Sequence, residues 1–211
     1  MKVLLVNGSP NKEGCTFTAL TAVGNSLNNC GIDTDFLWIG NRIISGCVAC
    51  RSCIKTNQCV FKDNVNEFLN MAADYDGFVF GTPVHWGAPS GAMTSFMDRA
   101  FYADLNGKGN RFLLKPAATV ISARRAGTTA AWDQMNKYFA LMQMPVISSR
   151  YWPIVHGAKP EEVLKDEEGM QTMRILGKNM AYFLKCKEAA QKAGIMTPEQ
   201  ETPVFTNFIR E

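Results

Sequence analysis

Short runs of apolar, often β-branched residues alternate along this chain with longer segments whose apolar residues recur every three or four positions. The first pattern is typical of buried strands and the second of amphipathic helices. Their alternation favours a parallel sheet with helices packed on both faces. The runs predict strands at 2–6, 32–39, 77–81, 117–122 and 145–148, with 152–155 as a candidate extension of the last. The periodic segments predict helices at 16–29, 63–73, 90–102, 128–141 and 171–193.

The length and composition of the chain fit one α/β domain. Its 211 residues are 46% hydrophobic and 19% charged, as in globular proteins. A net charge of +3, with no basic run longer than Arg124-Arg125, argues against a nucleic-acid partner. The first apolar run, at 3–6, is too short for a secretion signal, and no later run is long enough to cross a membrane. We therefore expect a cytoplasmic protein with no membrane partner.

The segment 8–16 joins the first predicted strand to the first predicted helix, where a phosphate group can bind. Such a group requires backbone N–H groups at a helix N-terminus, hydroxyl donors and small residues. Ser9 and Thr16 supply hydroxyls, and Gly8 and Gly14 allow a close backbone approach. The spacing matches neither the dinucleotide motif G-x-G-x-x-G nor the Walker motif G-x-x-x-x-G-K-[ST]. A phosphate loop and an ordinary strand-to-helix turn both stay open here.

Two further loops, at 82–91 and 122–127, follow the third and fourth predicted strands. Ligands of open α/β sheets bind at the carboxyl ends of strands, so both loops are expected beside the segment 8–16. A flavin ring requires an aromatic or peptide wall, and positive charge near N1, where the reduced anion carries its charge. His85-Trp86 and Arg124-Arg125 could supply these groups. Taken singly, each loop could equally present a surface aromatic or an exposed basic pair.

Four of the seven cysteines lie within thirteen positions, in the pattern Cys47-x₂-Cys50-x₂-Cys53-x₅-Cys59. Bacterial ferredoxins have the same C-x₂-C-x₂-C opening, and a fourth nearby thiolate could complete a single [4Fe–4S] centre. Structural zinc usually takes two C-x₂₋₄-C pairs that are well separated in sequence. In a reducing compartment the pattern indicates metal or redox chemistry. An iron–sulfur cluster is favoured, with cluster-free redox thiols and zinc as the alternatives.

Three motifs occur in order: G-S-P-x-x-x-G-x-T from Gly8, T-P-V-x-W-G-x-x-S-G-x-M from Thr82, and A-R-R-A-G from Ala123. In these motifs the chain resembles the NADPH-dependent FMN reductase family of flavodoxin-like proteins, over about residues 1–190. The resemblance implies a doubly wound, five-stranded parallel α/β sheet of order 2-1-3-4-5 in a single domain. We place that flavodoxin-like, FMN-binding domain at 1–195, with a cysteine-rich loop at 46–62 after strand two and a C-terminal tail at 196–211.

The resemblance also implies which residues contact FMN. The residues that match the phosphate-binding positions are Ser9, Asn11, Gly14, Cys15 and Thr16. The residues that match the loop along the flavin ring are Pro83, Val84, His85, Trp86 and Gly87. The loop near the other edge of the ring contributes Ser122, Arg124, Arg125 and Gly127. The flavin carries the chemistry, so no side chain is assigned a catalytic role.

The cysteine pattern resembles the iron–sulfur flavoprotein branch of the same family. That branch implies electron transfer between FMN and a [4Fe–4S] centre held by the four clustered cysteines. Ferredoxin or NAD(P)H would be the electron donor and a small molecule the acceptor. The alternatives are a cluster-free NAD(P)H-dependent FMN or quinone reductase working by hydride transfer, and a zinc- or thiol-based regulatory module. The apolar tail, with Val204, Phe205, Phe208 and Ile209, favours a homodimer or homotetramer.

Overall fold

A computed structural model describes residues 1–208, and within them five parallel strands form one sheet. The strands of the fold are β1 (Lys2–Asn7), β2 (Asp33–Trp38), β3 (Gly77–His85), β4 (Ala88–Pro89), β5 (Ala117–Ala123) and β6 (Ile154–His156). The five parallel strands lie in the predicted order, here β2-β1-β3-β5-β6. The short strand β4, which was not predicted, turns back antiparallel onto the end of β3.

Helices cover both faces of the sheet, which confirms the doubly wound α/β class. The helices are α1 (Cys15–Asn29), α2 (Cys53–Thr56), α3 (Asn64–Met71), α4 (Gly91–Asn106), α5 (Thr128–Leu141), α6 (Pro160–Val163) and α7 (Glu167–Lys192), and a 3₁₀ turn (Ala72–Asp74) follows α3. The first and last helices, α1 and α7, cover one face, while α3, α4 and α5 cover the other.

Each face of the sheet has its own hydrophobic core, because successive side chains of a strand point to opposite sides. In β1, Leu4 and Val6 face α3 and α4, whereas Val3 and Leu5 face α1 and α7. The first core is rich in phenylalanine: Phe68 of α3 contacts the rings of Phe78, Phe80, Phe96 and Phe112. These cores fix the helices relative to the strands and so fix the loops at the carboxyl edge.

The last predicted strand, at 145–148, is wrong as a continuous element. Val146 makes only a single parallel bridge with Ala117, at the start of β5. The chain then leaves the sheet and returns as β6, where Ile154 pairs with Ile121 near the end of β5. The edge strand is therefore split, because its two apolar runs pair with opposite ends of β5. The candidate extension, and not the main run, is the strand.

The tail from 197 to 208 contains neither helix nor strand. Its apolar side chains Val204, Phe205 and Phe208 are exposed. Ile209, which we expected to contribute to the same apolar surface, lies outside the described residues. Within residues 1–208, no helix combines the length and the hydrophobicity that a bilayer crossing would demand.

Candidate functional site

The segment 8–14 leaves β1 and lies across the carboxyl edge of the sheet. The Gly8 amide donates to the carbonyl oxygen of Gly81, 2.8 Å away on β3. A Cβ atom on Gly8 would lie 2.5 Å from Cε of Met93 and 3.1 Å from that same carbonyl oxygen. A side chain at position 8 would displace Met93 and press on the backbone of β3, so glycine suits this close approach.

Side chains from the strand ends hold the interior of this segment. The Asn7 side chain accepts from the Ser9 amide (3.0 Å) and donates to the carbonyl of Lys12 (3.0 Å). The Ser9 hydroxyl accepts from the Asn11 amide at 3.2 Å. The indole N–H of Trp38, at the end of β2, donates to the Ser9 carbonyl at 2.9 Å. Sequence reasoning missed Asn7 and Trp38, although both lie at the ends of correctly predicted strands.

Helix α1 begins at this segment with features that suit an anion. Gly14 is the N-cap residue and supplies no capping side chain, and the first turn contains no acidic residue. The first N–H groups of the helix therefore keep their capacity to bind a negative group. The Cys15 thiol instead points away, donating to the carbonyl of Gly157 at 3.5 Å. Burial, and to a smaller extent Glu162 and Glu161, raises the pKa of this thiol.

Two buried hydroxyl groups meet beside the helix start. Oγ1 of Thr16 lies 2.8 Å from Oγ of Ser122, at the carboxyl end of β5. The two residues are 1% and 3% exposed, so water does not compete for their hydroxyl groups. The structure thus brings together two predicted site residues that are 106 positions apart in sequence.

The two predicted flavin-ring loops contact each other. The β3–β4 hairpin turns at Trp86 and Gly87, which have φ values of +52° and +76°. Gly127 has φ +90°, and a Cβ atom there would lie 2.8 Å from Cα of Gly87. Both glycines are thus required by conformation, and one also by the close approach of the loops.

The polar side chains that we predicted on these loops are exposed. They are His85, Trp86, Arg124 and Arg125. Beneath them, Ser90 caps α4 and donates its hydroxyl to the carbonyl of Gly8 at 3.1 Å. The Ser90 amide in turn donates to Oγ1 of Thr82 at 3.1 Å. The start of α4 is therefore tied to the segment 8–14, a link that sequence reasoning did not identify.

All four clustered cysteines line one small cavity, of about 20 Å³, against α4. Cys53 is buried, Cys59 is half-buried, and Cys47 and Cys50 are exposed. Burial raises the pKa of the Cys53 thiol, and the neighbouring thiols add to that effect. The backbone N–H of Ser52 lowers the pKa of the Cys50 thiol. The described structure leaves all seven cysteines as free thiols.

No group of three or more His, Cys, Asp or Glu side chains among residues 1–208 is arranged to hold a single metal ion. A [4Fe–4S] centre makes a different geometric demand, since each of its four irons takes one thiolate. Four thiols around one cavity match that donor set in number and kind. Cys53 begins α2 and the other three lie on loops, with Cys47 and Cys50 exposed. A cavity of about 20 Å³ holds about one water molecule, so the segment must open to admit a cluster.

The interior of the cysteine segment is held by Arg99 of α4, which is only 2% exposed. Its guanidinium forms a bidentate pair with the Asp63 carboxylate, at 2.7 and 2.9 Å. The same group donates to Sγ of Cys59 at 3.2 Å and to the carbonyl of Ser45 at 3.3 Å. It also stacks over the Phe61 ring, with 4.9 Å from the guanidinium carbon to the ring centroid.

Sequence reasoning missed Arg99 entirely. The surrounding helix is apolar on its inner face, and nothing in the pattern distinguishes a buried arginine from an exposed one. Asn66 of α3 was also missed. Its amide accepts from the Cys59 N–H and donates to the carbonyls of Cys59 and Phe61, at 2.8, 2.8 and 2.9 Å.

Helix α4 connects the two candidate sites. Ser90, its N-cap, contacts the segment 8–14, and Arg99 contacts the cysteines nine positions later. At the α-helical rise per residue, these two positions are about 14 Å apart along the axis. One rigid element therefore sets the separation of the two sites.

The fold and the glycine-rich edge define a flavodoxin-like protein. A solved archaeal flavodoxin superimposes with a TM-score of 0.58 at 17% identity, covering 88% of this chain and 99% of that one. The sequence profile of NADPH-dependent FMN reductases matches residues 1–159. The chain belongs to that family, which confirms the resemblance, and it is a flavin-dependent oxidoreductase.

Two archaeal relatives carry the name iron–sulfur flavoprotein, and both come from Methanocaldococcus jannaschii. One is 29% identical over 191 residues, covering 88% of this chain and 98% of the relative. The other is 30% identical over 186 residues, covering 82% of this chain and 92% of the relative. The similarity thus includes the cysteine segment and extends well beyond the family match.

Proposed function

We propose that this chain transfers electrons between FMN, bound at the carboxyl edge of the sheet, and a [4Fe–4S] centre bound by Cys47, Cys50, Cys53 and Cys59. The observation that carries the proposal is that the four thiols line one cavity on the helix whose N-cap contacts the candidate phosphate loop. The names of the two relatives support the cluster, and the family supports the flavin.

At the first site the residues of the protein would bind and orient FMN. The amides at the start of α1 and the Thr16 hydroxyl would hold the terminal phosphate of FMN. Ser122, paired with Thr16, would fix the direction of that hydroxyl. The hairpin at 83–87 and the loop at 124–127 would lie along the ring, with Arg124 and Arg125 supplying positive charge. FMN supplies the redox chemistry when bound.

The loop at 8–16 suits one terminal phosphate, and no second phosphate motif occurs in the sequence. We therefore expect FMN, and not FAD, to copurify. Acid release followed by chromatography identifies the flavin, and FAD in the released fraction would contradict this assignment.

At the second site the four thiolates would bind the cluster, which supplies one-electron chemistry when bound. Cys59 is the most informative ligand to remove, because three cysteines at period three would remain. We expect Cys59→Ala to lose its cluster or keep only a three-iron form, while FMN stays bound. The brown absorption shoulder should fade and the yellow flavin spectrum should persist.

Cys30→Ala is the matched control, since Cys30 lies at the end of α1, outside the cysteine cavity. Iron, sulfide and flavin are measured in both variants and in the wild type after anaerobic reconstitution. Equal iron and sulfide in Cys59→Ala and Cys30→Ala would contradict the ligand assignment.

A hydride-transfer reductase without a cluster is the second candidate, and the family description as NADPH-dependent favours it. Stopped-flow reduction separates the two candidates. NAD(P)H should reduce the flavin directly in a cluster-free reductase, whereas reduced ferredoxin should reduce the cluster first and the flavin after it in the first candidate. A cytoplasmic location, a small-molecule acceptor and a homodimer or homotetramer complete the proposal.

A further inference from the structure

The Cys59 sulfur has a charged hydrogen-bond donor that none of the other clustered cysteines has among residues 1–208. Nε of Arg99 donates to this sulfur, while the two terminal nitrogens bind the Asp63 carboxylate. The fork geometry makes both contacts possible at once, which a lysine could not do. At 2% exposure the guanidinium is shielded from water, so its charge acts at close range on the sulfur.

Hydrogen bonds to the sulfurs and nearby charge are among the factors that set the potential of an iron–sulfur cluster. Reduction adds negative charge to the cluster and its thiolates. A cation that donates a hydrogen bond to one of those thiolates therefore stabilises the reduced form more than the oxidised form. A residue that touches a ligand, and not the metal, also orients that ligand.

We infer that Arg99 is a positioning residue that holds the Cys59 sulfur in place and raises the reduction potential of the cluster bound there. The inference rests on the proposed function, because it needs a cluster at this site. It adds a residue that the cysteine pattern does not contain and that lies forty positions from its sulfur partner. Asp63 serves as the anchor that keeps the guanidinium aimed at Cys59.

A purely structural role for the Arg99–Asp63 pair makes a different prediction. In that case any loss of the pair would loosen the segment, and the potential would change in the same direction whichever partner was altered. The inference instead predicts different outcomes for the two partners, because one removes a positive charge beside the cluster and the other a negative one.

The test is a redox titration of the reconstituted, FMN-bound protein, with the reduced cluster followed by electron paramagnetic resonance. In Arg99→Gln we expect the ratio of oxidised to reduced cluster at a fixed potential to rise about tenfold, a fall of about 59 mV for one electron. In Asp63→Asn we expect that ratio to fall instead, and the potential to rise, because a negative charge near the cluster is removed while asparagine still caps α3 and the guanidinium remains.

A wild-type protein without iron and sulfide would overturn the proposed function itself. A wild type with a cluster whose potential equals that of Arg99→Gln would overturn the inference alone. An equal fall in Asp63→Asn would also overturn it, because loosening would then explain both. Should Arg99→Gln lose its cluster, Asp63→Asn decides: a rise in potential supports the inference and any other result overturns it.

Discussion

The two candidate sites are built in opposite ways. The phosphate segment, residues 8–16, is anchored along the edge of the sheet, since its amides and carbonyls bond to the backbone of β3 and to side chains at the ends of β1 and β2 and at the start of α4. The cysteine segment lies outside the sheet, and from 43 to 52 it has no helix or strand. Side chains of α3 and α4, chiefly Asn66 and Arg99, hold both of its ends, through Cys59 and the carbonyl of Ser45.

This difference predicts different sensitivity to mutation. A segment that is anchored at several points along the sheet loses little when one side chain changes, because the strands and helices keep their positions. A site held by a few side chains depends on each of them. Helix α4 contacts both sites, so its packing sets the distance between them. The local contacts set how well ordered each site is.

The largest effect is expected when the cysteine segment loses its buried arginine. Arg99→Met leaves the Asp63 carboxylate without its partner and should lower the free energy of unfolding by about 3 kcal/mol. Urea unfolding of the FMN-bound protein, followed by circular dichroism, measures this. The rate of amide hydrogen exchange should rise in residues 43–62 and stay unchanged in residues 8–16.

Arg150→Met is the control, because Arg150 forms a solvent-exposed ion pair with Glu168 at 3.9 Å. Such a pair contributes about 0–1 kcal/mol. If both variants lower the free energy of unfolding equally, or if the exchange rate rises equally in the two segments, the expected difference in sensitivity between the sites would be contradicted.

An intermediate effect is expected at the phosphate segment. Thr16→Val removes a hydroxyl and leaves the Ser122 hydroxyl without its partner. The binding free energy of FMN should therefore weaken by about 1–3 kcal/mol while the fold persists. Fluorescence titration of the apoprotein with FMN measures the change. Thr18→Val is the matched control, since the Thr18 hydroxyl donates to the Gly14 carbonyl. Equal affinity in the two variants would mean that Thr16 does not contact the phosphate.

The smallest effect is expected from the exposed arginines. Replacing Arg124 and Arg125 by glutamine should lower the two-electron potential of FMN by about 20 mV, which is about 1 kcal/mol for exposed charges. A spectroelectrochemical titration against wild type tests this, and added salt should shrink the difference. An unchanged potential would place both side chains away from the flavin ring.

Much of the phosphate site could be predicted from the sequence, because local pattern determines it. Strand ends and glycine spacing placed Gly8, Gly14 and Gly127 on loops that the structure brings to one edge. The thiol direction of Cys15 could not be predicted, because it depends on Gly157 in a distant loop. The split of the edge strand at 145–156 could not be predicted either, because both apolar runs fit a strand equally well.

Less of the cysteine segment could be predicted from the sequence. Its spacing identified the four thiols, yet nothing in the sequence linked them to Arg99, Asp63 or Asn66. These contacts depend on how α3 and α4 pack against the sheet, and a charged residue at one helical position carries no local sign of burial. Long-range side-chain contacts of this kind produce no periodic pattern in the sequence from which they could be predicted.

In the proposed function, one chain binds FMN and a [4Fe–4S] centre at two sites joined by α4. The most direct test is quantitative analysis of iron, acid-labile sulfide and flavin in wild-type protein purified and reconstituted without oxygen. We expect about four iron and about four sulfide ions for each FMN. Bound FMN with neither iron nor sulfide would contradict it and leave hydride transfer as the function.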